Sequence, residues 1–169
     1  LYEMHPPQEM APIAPATWAN DAGPMLTLTS GWIDDGQVHG GEGARLSLTF
    51  TSLAPLSADY AASVRLVGPD GNHIAADVPI RAATPKGPGA GTASWATGTS
   101  VTVTRAIRIP PGTPVGRHEV RVVVYDPASL APLRVAPSPA HIGANPGEEA
   151  IIGRVLVTLA LVPYPARAV

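Results

Sequence analysis

Residues 114–127, PVGRHEVRVVVYDP, decide how the rest of the chain is read. Val120, Val122 and Val124 alternate with Arg121, Val123 and Tyr125, and side chains two apart share one face of a pleated strand. Pro114 and Gly116 keep regular structure from starting earlier, and Asp126-Pro127 ends it with a turn-forming pair. A strand apolar on both faces belongs in the middle of a sheet, covered by other strands.

Working outward, the same alternation recurs. Residues 25–30, MLTLTS, put Leu26 and Leu28 on one side and Thr27 and Thr29 on the other. Residues 44–52, ARLSLTFTS, put Leu46, Leu48 and Phe50 inward and Arg45, Ser47, Thr49 and Thr51 outward. After the corner LAPLS, residues 59–67 set Tyr60, Ala62, Val64 and Leu66 against Ala61, Ser63 and Arg65. GPDGN then supplies the preset φ and the positive φ of a tight hairpin, with residues 73–80 as the returning strand. Residues 99–109 alternate through Val101, Val103, Ile107 and Ile109, with Arg105 breaking the series. Residues 130–135 follow the DPAS turn as a second hairpin, and residues 150–162 close the body. The connection 31–43 and the Gly/Pro/Ala segment 81–98 read as loops. Eight such stretches, without one helical period among them, predict an all-β fold. It is a two-sheet antiparallel sandwich of about eight strands, of immunoglobulin-like or jelly-roll type.

Composition agrees. The 20 Pro and 17 Gly among 169 residues favour turns over long helices, and charged residues are only 14%, against about a quarter in ordinary globular chains. Net charge of −2 gives no basic footprint and excludes nucleic acid as an expected partner. The absence of Cys removes disulfides and thiolate chemistry together. The longest apolar run, 155–162, is far too short to span a bilayer. Residues 1–23 hold four prolines without periodicity and read as an extended arm or linker on a sandwich domain at 24–169. Trp18 and Ile13 can pin that arm to the body, and removing residues 1–20 is expected to cost no more than about 1–2 kcal/mol. No charged stretch followed by an apolar run opens the chain, which starts at Leu1, and a piece of a longer protein is the expectation.

Residues suited to chemistry are sparse. The five His are scattered, without metal-ligand spacing, and most are read as surface residues; no nucleophile, phosphate-loop or dinucleotide motif occurs. No cofactor is implied. Asp34-Asp35-Gly36 beside Trp32 reads as an Asx-rich turn, or as a loop site for Ca²⁺ or sugar hydroxyls, both of which want carboxylate oxygens. Trp32 and Trp95 are the only tryptophans of the predicted body. Each serves either core packing or ring stacking against a sugar. Trp32, Asp34, Asp35 and Trp95 are therefore the candidate ligand-binding residues, on a surface joining the 32–35 turn to the 81–98 loop.

Three segments together resemble a known family: 44–77, 104–135 and 151–157. Leu53-Ala54-Pro55-Leu56, Pro110-Pro111-Gly112, Gly116 and Val124-Tyr125-Asp126-Pro127 match its pattern. The pattern resembles the extracytoplasmic β-sandwich that follows the membrane part of many bacterial polytopic glycosyltransferases. Those enzymes are similar to the dolichyl-phosphate-mannose–protein mannosyltransferases. The chain departs from the pattern at Thr49-Phe50-Thr51, where an aromatic-rich step is usual, and at His118, where an aromatic is usual. The resemblance spans about residues 25–158 and rests on turn and core positions. It implies a non-catalytic accessory domain on the extracytoplasmic side, with the membrane part of the same polypeptide as partner and glycan as a further one. The catalytic carboxylate of such enzymes lies in the membrane part, so no catalytic residue carries over. The alternative from another class is a stand-alone carbohydrate- or surface-binding module.

Overall fold

The computed structural model describes residues 10–34, 37–137 and 147–159. The strands are Met10–Pro12 (β1), Ala16–Asn20 (β2), Gly23–Asp34 (β3), Gln37–His39 (β4), Gly43–Ser52 (β5), Ala61–Val67 (β6) and His73–Pro79 (β7). Ala83–Thr84 (β8), Gly87–Pro88 (β9), Ser100–Arg108 (β10), Gly116–Tyr125 (β11), Arg134–Val135 (β12) and Glu149–Thr158 (β13) follow. Sheet I runs β10-β5-β3-β2-β12, with β1 on the far part of β3; sheet II runs β4-β13-β11-β6-β7. β8 and β9 form a small hairpin of their own. The pairing is antiparallel except between β4 and β13, which are parallel. The expected all-β sandwich is the fold, with more strands than the eight expected. Seven of the eight alternating stretches are strands, while of 130–135 only Arg134–Val135 is one; the extra strands are mostly two or three residues long, too short for a period of 2 to be visible.

The organising strand sits where its sequence puts it. β11 is central in sheet II, between β13 and β6, with Val120, Val122 and Val124 fully buried. Leu26, Leu28, Leu46, Leu48 and Phe50 face them from sheet I. Val123 is also buried, on the opposite side, between the half-buried Arg121 and Tyr125.

Three expectations are corrected. First, residues 10–20 are not a structureless arm. β2 lies inside sheet I between β3 and β12, and Trp18 is fully buried, its ring 6.2 Å from that of Phe50. Burying the largest apolar side chain here outweighs the weak strand signal of the flanking prolines. Residues 1–9 lie outside the described residues. Second, residues 130–135 do not return along β11. Only Pro132 bridges Tyr125, and the chain then crosses to sheet I, where β12 pairs with β2. Asp126 folds the turn, accepting from the amides of Ala128 and Leu130. One pair of bonds follows, from Asp126 N–H to Ala131 O and from Leu133 N–H to Val124 O, and the pairing stops there because β11 already has β13 on one side and β6 on the other. Third, β3 continues straight through Gly31 and Trp32 instead of turning. Gly31 allows this, because a Cβ there would strike the carbonyl of Ser47.

The GPDGN hairpin forms as read, with Val67 opposite His73, Gly71 at φ +80° and the Asn72 amide donating to Asp70 Oδ1. The open edges of the two sheets, β10 and β7, are not hydrogen-bonded to each other, so the molecule is a sandwich and not a closed barrel.

Candidate functional site

The candidate residues part company in the fold. Trp32 lies on β3, half-buried on the outer face of sheet I, with Pro12 on one side and Ser47 on the other. Asp34 is the last residue of β3, opposite Met10, and Asp35 lies outside the described residues. Trp95 closes a short 3-10 turn, Thr92–Ser94, beyond the opposite end of β5. There the Ser52 hydroxyl donates to Ala96 O, and the Gly98 amide donates to Ser52 O. From Ser47, beside Trp32, to Ser52 is five strand residues, about 17 Å. Trp32 and Trp95 therefore do not share a surface, contrary to the sequence-based expectation.

Trp95 is a packing residue. Its ring is half-buried against the core, and its indole N–H donates to Ala90 O at 3.4 Å. The turn beneath it is anchored by buried Thr92, whose hydroxyl donates to Ala58 O at 2.7 Å and accepts from the Tyr60 amide at 2.8 Å. Asp59 Oδ1 accepts from the Ala93 amide at 3.0 Å. These polar side chains build the 81–98 segment into the fold and are not presented to a ligand.

What the register assembles instead is a field of hydroxyls around Trp32. Thr17, Thr27, Thr51 and Ser100 fall in one row across sheet I. Ser30, Thr49 and Thr102 fall in a second, and Trp32, Ser47 and Thr104 in a third. Rows repeat about every 6.8 Å along the strands, and neighbours within a row sit about 4.8 Å apart. Thr17 bonds Thr27 at 3.0 Å, Thr51 bonds Ser100 at 2.6 Å and Thr49 bonds Thr102 at 2.8 Å, all hydroxyl to hydroxyl. Thr29 adds a hydroxyl that donates to Thr49 O at 3.2 Å. None of these three rows contains an ionisable side chain. Paired hydroxyls hold one another's orientation and still offer a lone pair or a rotatable hydrogen outward. The outward Ser/Thr alternation of β3, β5 and β10 is the sequence signal for this face; only the register joins it into one surface.

The outer face of sheet II is of opposite character. Glu149 accepts from Arg65 at 2.6 Å and from Arg121 at 3.1 Å, while Arg121 also reaches Glu119 at 2.7 Å. These side chains are about one-third exposed, so each pair contributes only about 0–1 kcal/mol. The hydrogen bonds it donates to Glu119 and then Glu149 hold the Arg121 guanidinium above its already high ordinary value. Beside them an open depression of about 570 Å³ is lined by Asp77, Tyr125, Leu130 and Glu148, among others. Burial, and then a hydrogen bond with Asp77, push the Tyr125 phenol up. Tyr125 is therefore held as a neutral hydrogen-bond partner and not as a base.

His118 is an exception to the expectation that most histidines lie at the surface: it points into the fold and is buried. Its Nδ1 lies 3.1 Å from Gly116 O, and because a carbonyl only accepts, that nitrogen carries the proton. Among the described residues, no three His, Asp or Glu side chains converge as metal ligands, and no helix is long and apolar enough to cross a membrane.

No family model matches the chain. No characterised protein matches it in sequence. Among solved structures, a Niemann-Pick type C2 protein from the Japanese carpenter ant is similar at a TM-score of 0.47 and 8% identity, over 89% of this chain and 98% of that one. A likeness at that level says nothing of what this chain binds.

Proposed function

We propose that this chain is a non-catalytic extracytoplasmic accessory domain of a membrane-bound glycosyltransferase, and that it meets glycan or the rest of that enzyme through the hydroxyl face of sheet I. The observation that carries this reading is the uncharged Ser/Thr field with Trp32 at its border. Polyols exchange hydrogen bonds readily with oriented hydroxyls, and an aromatic face packs on sugar C–H groups. The resemblance at Leu53–Leu56 and at Val124–Pro127 supports the choice of enzyme class. In this fold the first follows β5 as a corner, with Leu56 buried, and the second ends the central strand β11. Membrane tethering, through the membrane part of the same enzyme, belongs to this reading.

A second reading, a stand-alone carbohydrate-binding module, is favoured by Trp32 lying on that same face. Titrating mono- and oligosaccharides while following the indole N–H signals of Trp32 and Trp95 separates the two. A binding module moves Trp32 and leaves Trp95 in place, with affinity between millimolar and high micromolar, roughly −4 to −6 kcal/mol. No movement at tens of millimolar sugar removes the glycan reading. A reading frame upstream of Leu1 without about ten apolar spans of membrane-crossing length removes the accessory-domain reading.

A further inference from the structure

A site of a different kind lies at the side of the sandwich. β10 ends sheet I, and among the described residues its backbone pairs only with β5. Beside it runs a groove of about 720 Å³, floored by buried Val78 and Val103 and walled on the far side by the end of β7 and by the β8–β9 hairpin. All four consecutive residues Thr102–Arg105 line it, although alternate ones belong to opposite faces of the sheet. A groove touched by both faces lies lateral to the strand, against its unpaired N–H and C=O groups.

The charge in this groove is one-sided. Arg105 stands opposite Leu46, at a register where its neighbours Val103 and Ile107 point into the core, yet it is exposed at the groove. Arg81 lines the same groove, and its Nε is buried without a hydrogen-bond partner. Neither arginine has an ion pair among the described residues, and no carboxylate lines the groove.

We propose that the groove along β10 receives an extended acidic peptide segment of a partner protein, which adds as a further strand beside Thr102–Arg105. Main-chain bonds to the open edge give the affinity, and carboxylates placed against Arg105 and Arg81 give the preference for acidic sequence. A second copy of this chain is a poor occupant. Pairing β10 with itself gathers Arg105 and Arg108 of both chains on one short ladder, where like charges oppose each other.

The test uses the full chain and a ten-residue peptide alternating valine and threonine with glutamate. We expect amide shifts confined to 102–105 and 81–88, dissociation constants at or below about 1 mM that rise with salt, and at least a tenfold loss in Arg105→Glu. Arg105 is exposed, so that variant keeps its melting temperature, which is checked alongside. Equal binding by an N-methylated peptide of the same charge would overturn strand addition, since that peptide cannot donate main-chain bonds. Equal binding by a lysine-substituted peptide would overturn the acidic preference. No binding to the wild type, with dimerisation of Arg105→Val, would leave Arg105 as a guard against self-pairing and sink the proposal. The groove shares Thr102 and Thr104 with the hydroxyl face, so Arg105→Glu, which lies in none of the hydroxyl rows, is the variant that separates peptide binding from glycan binding.

Discussion

The backbone N–H of Ala14 donates to the carbonyl of Ile152 at 2.9 Å, tying the N-terminal part of sheet I to the last strand of sheet II. That carbonyl is free to accept because β13 bulges there: Val120 faces Gly153 and Arg121 faces Ile151, leaving Ile152 as the extra residue. Gly153 follows because a Cβ at that position would stand 2.7 Å from Ile33 Cδ1. Residues 10–20 are therefore part of the folded body, held by β2, the bulge in β13 and a buried indole.

Deleting residues 1–20 is accordingly expected to unfold the domain. It removes β2 from between β3 and β12 and opens the core at Trp18. Trp18→Ala alone should cost about 3–5 kcal/mol. Chemical denaturation of both proteins is the measurement. A truncated chain with wild-type stability would show that β2 contributes nothing to the sheet.

Gly68 and His118 make a second such pair. A Cβ on Gly68 would come 2.8 Å from Nε2 of the buried His118 ring. Gly68→Ala should destabilise by about 1–3 kcal/mol, the usual cost of overpacking. The same change made on His118→Ala should cost much less, because the obstructing ring is gone. A double-mutant cycle of thermal melts reads the coupling, and additivity of the two changes would contradict the contact.

Val122 faces Val64 across one ladder and Ala150 across the other, and all three are fully buried. Val122→Asp places a carboxylate there without a partner, at several kcal/mol, enough to unfold a domain of ordinary stability. Loss of the folded circular dichroism spectrum is the expected result.

These cases mark where the sequence is legible. Val122, Leu48 and Leu66 announce themselves by alternation, so the sandwich and its long strands could be read. ATWAN at 16–20 could not, since five residues between prolines carry too little pattern. Residues 130–135 cross to the other sheet because β11 already has a neighbour on each side, and the folded Asp126 turn resembles a hairpin until those partner strands are known. The site divides in the same way. Outward hydroxyls on β5 and β10 were visible singly, but Thr49 beside Thr102 is a fact of register. Trp95 lost its candidacy to Thr92 and Asp59, whose bonds across more than thirty residues leave no local trace.

Thr49 and Thr102 test the hydroxyl face itself. Thr102→Lys replaces an exposed hydroxyl with a charge and removes its bond to Thr49. Stability should change by no more than about 0.5 kcal/mol, as at most exposed positions. If the face meets glycan, the Trp32 shift on sugar titration should weaken or vanish. An unchanged titration would move the contact elsewhere.

Tyr125 supplies the pH dependence. Burial first, and the hydrogen bond with Asp77 second, raise its phenol above the ordinary value of 10.0. The folded protein therefore keeps the proton at a pH where the unfolded chain has begun to lose it. The resulting stability is fully present below about pH 10, the unfolded value, and is lost as pH rises through the higher folded one. Tyr125→Phe removes the titrating group, so it should forfeit a hydrogen bond at neutral pH and flatten the alkaline limb. Urea midpoints of wild type and variant from pH 8 to 11.5 should converge as pH rises, other tyrosines and Lys86 contributing equally to both. Parallel curves would mean that the folded and unfolded phenols share one pKa and that the Asp77 bond is not formed.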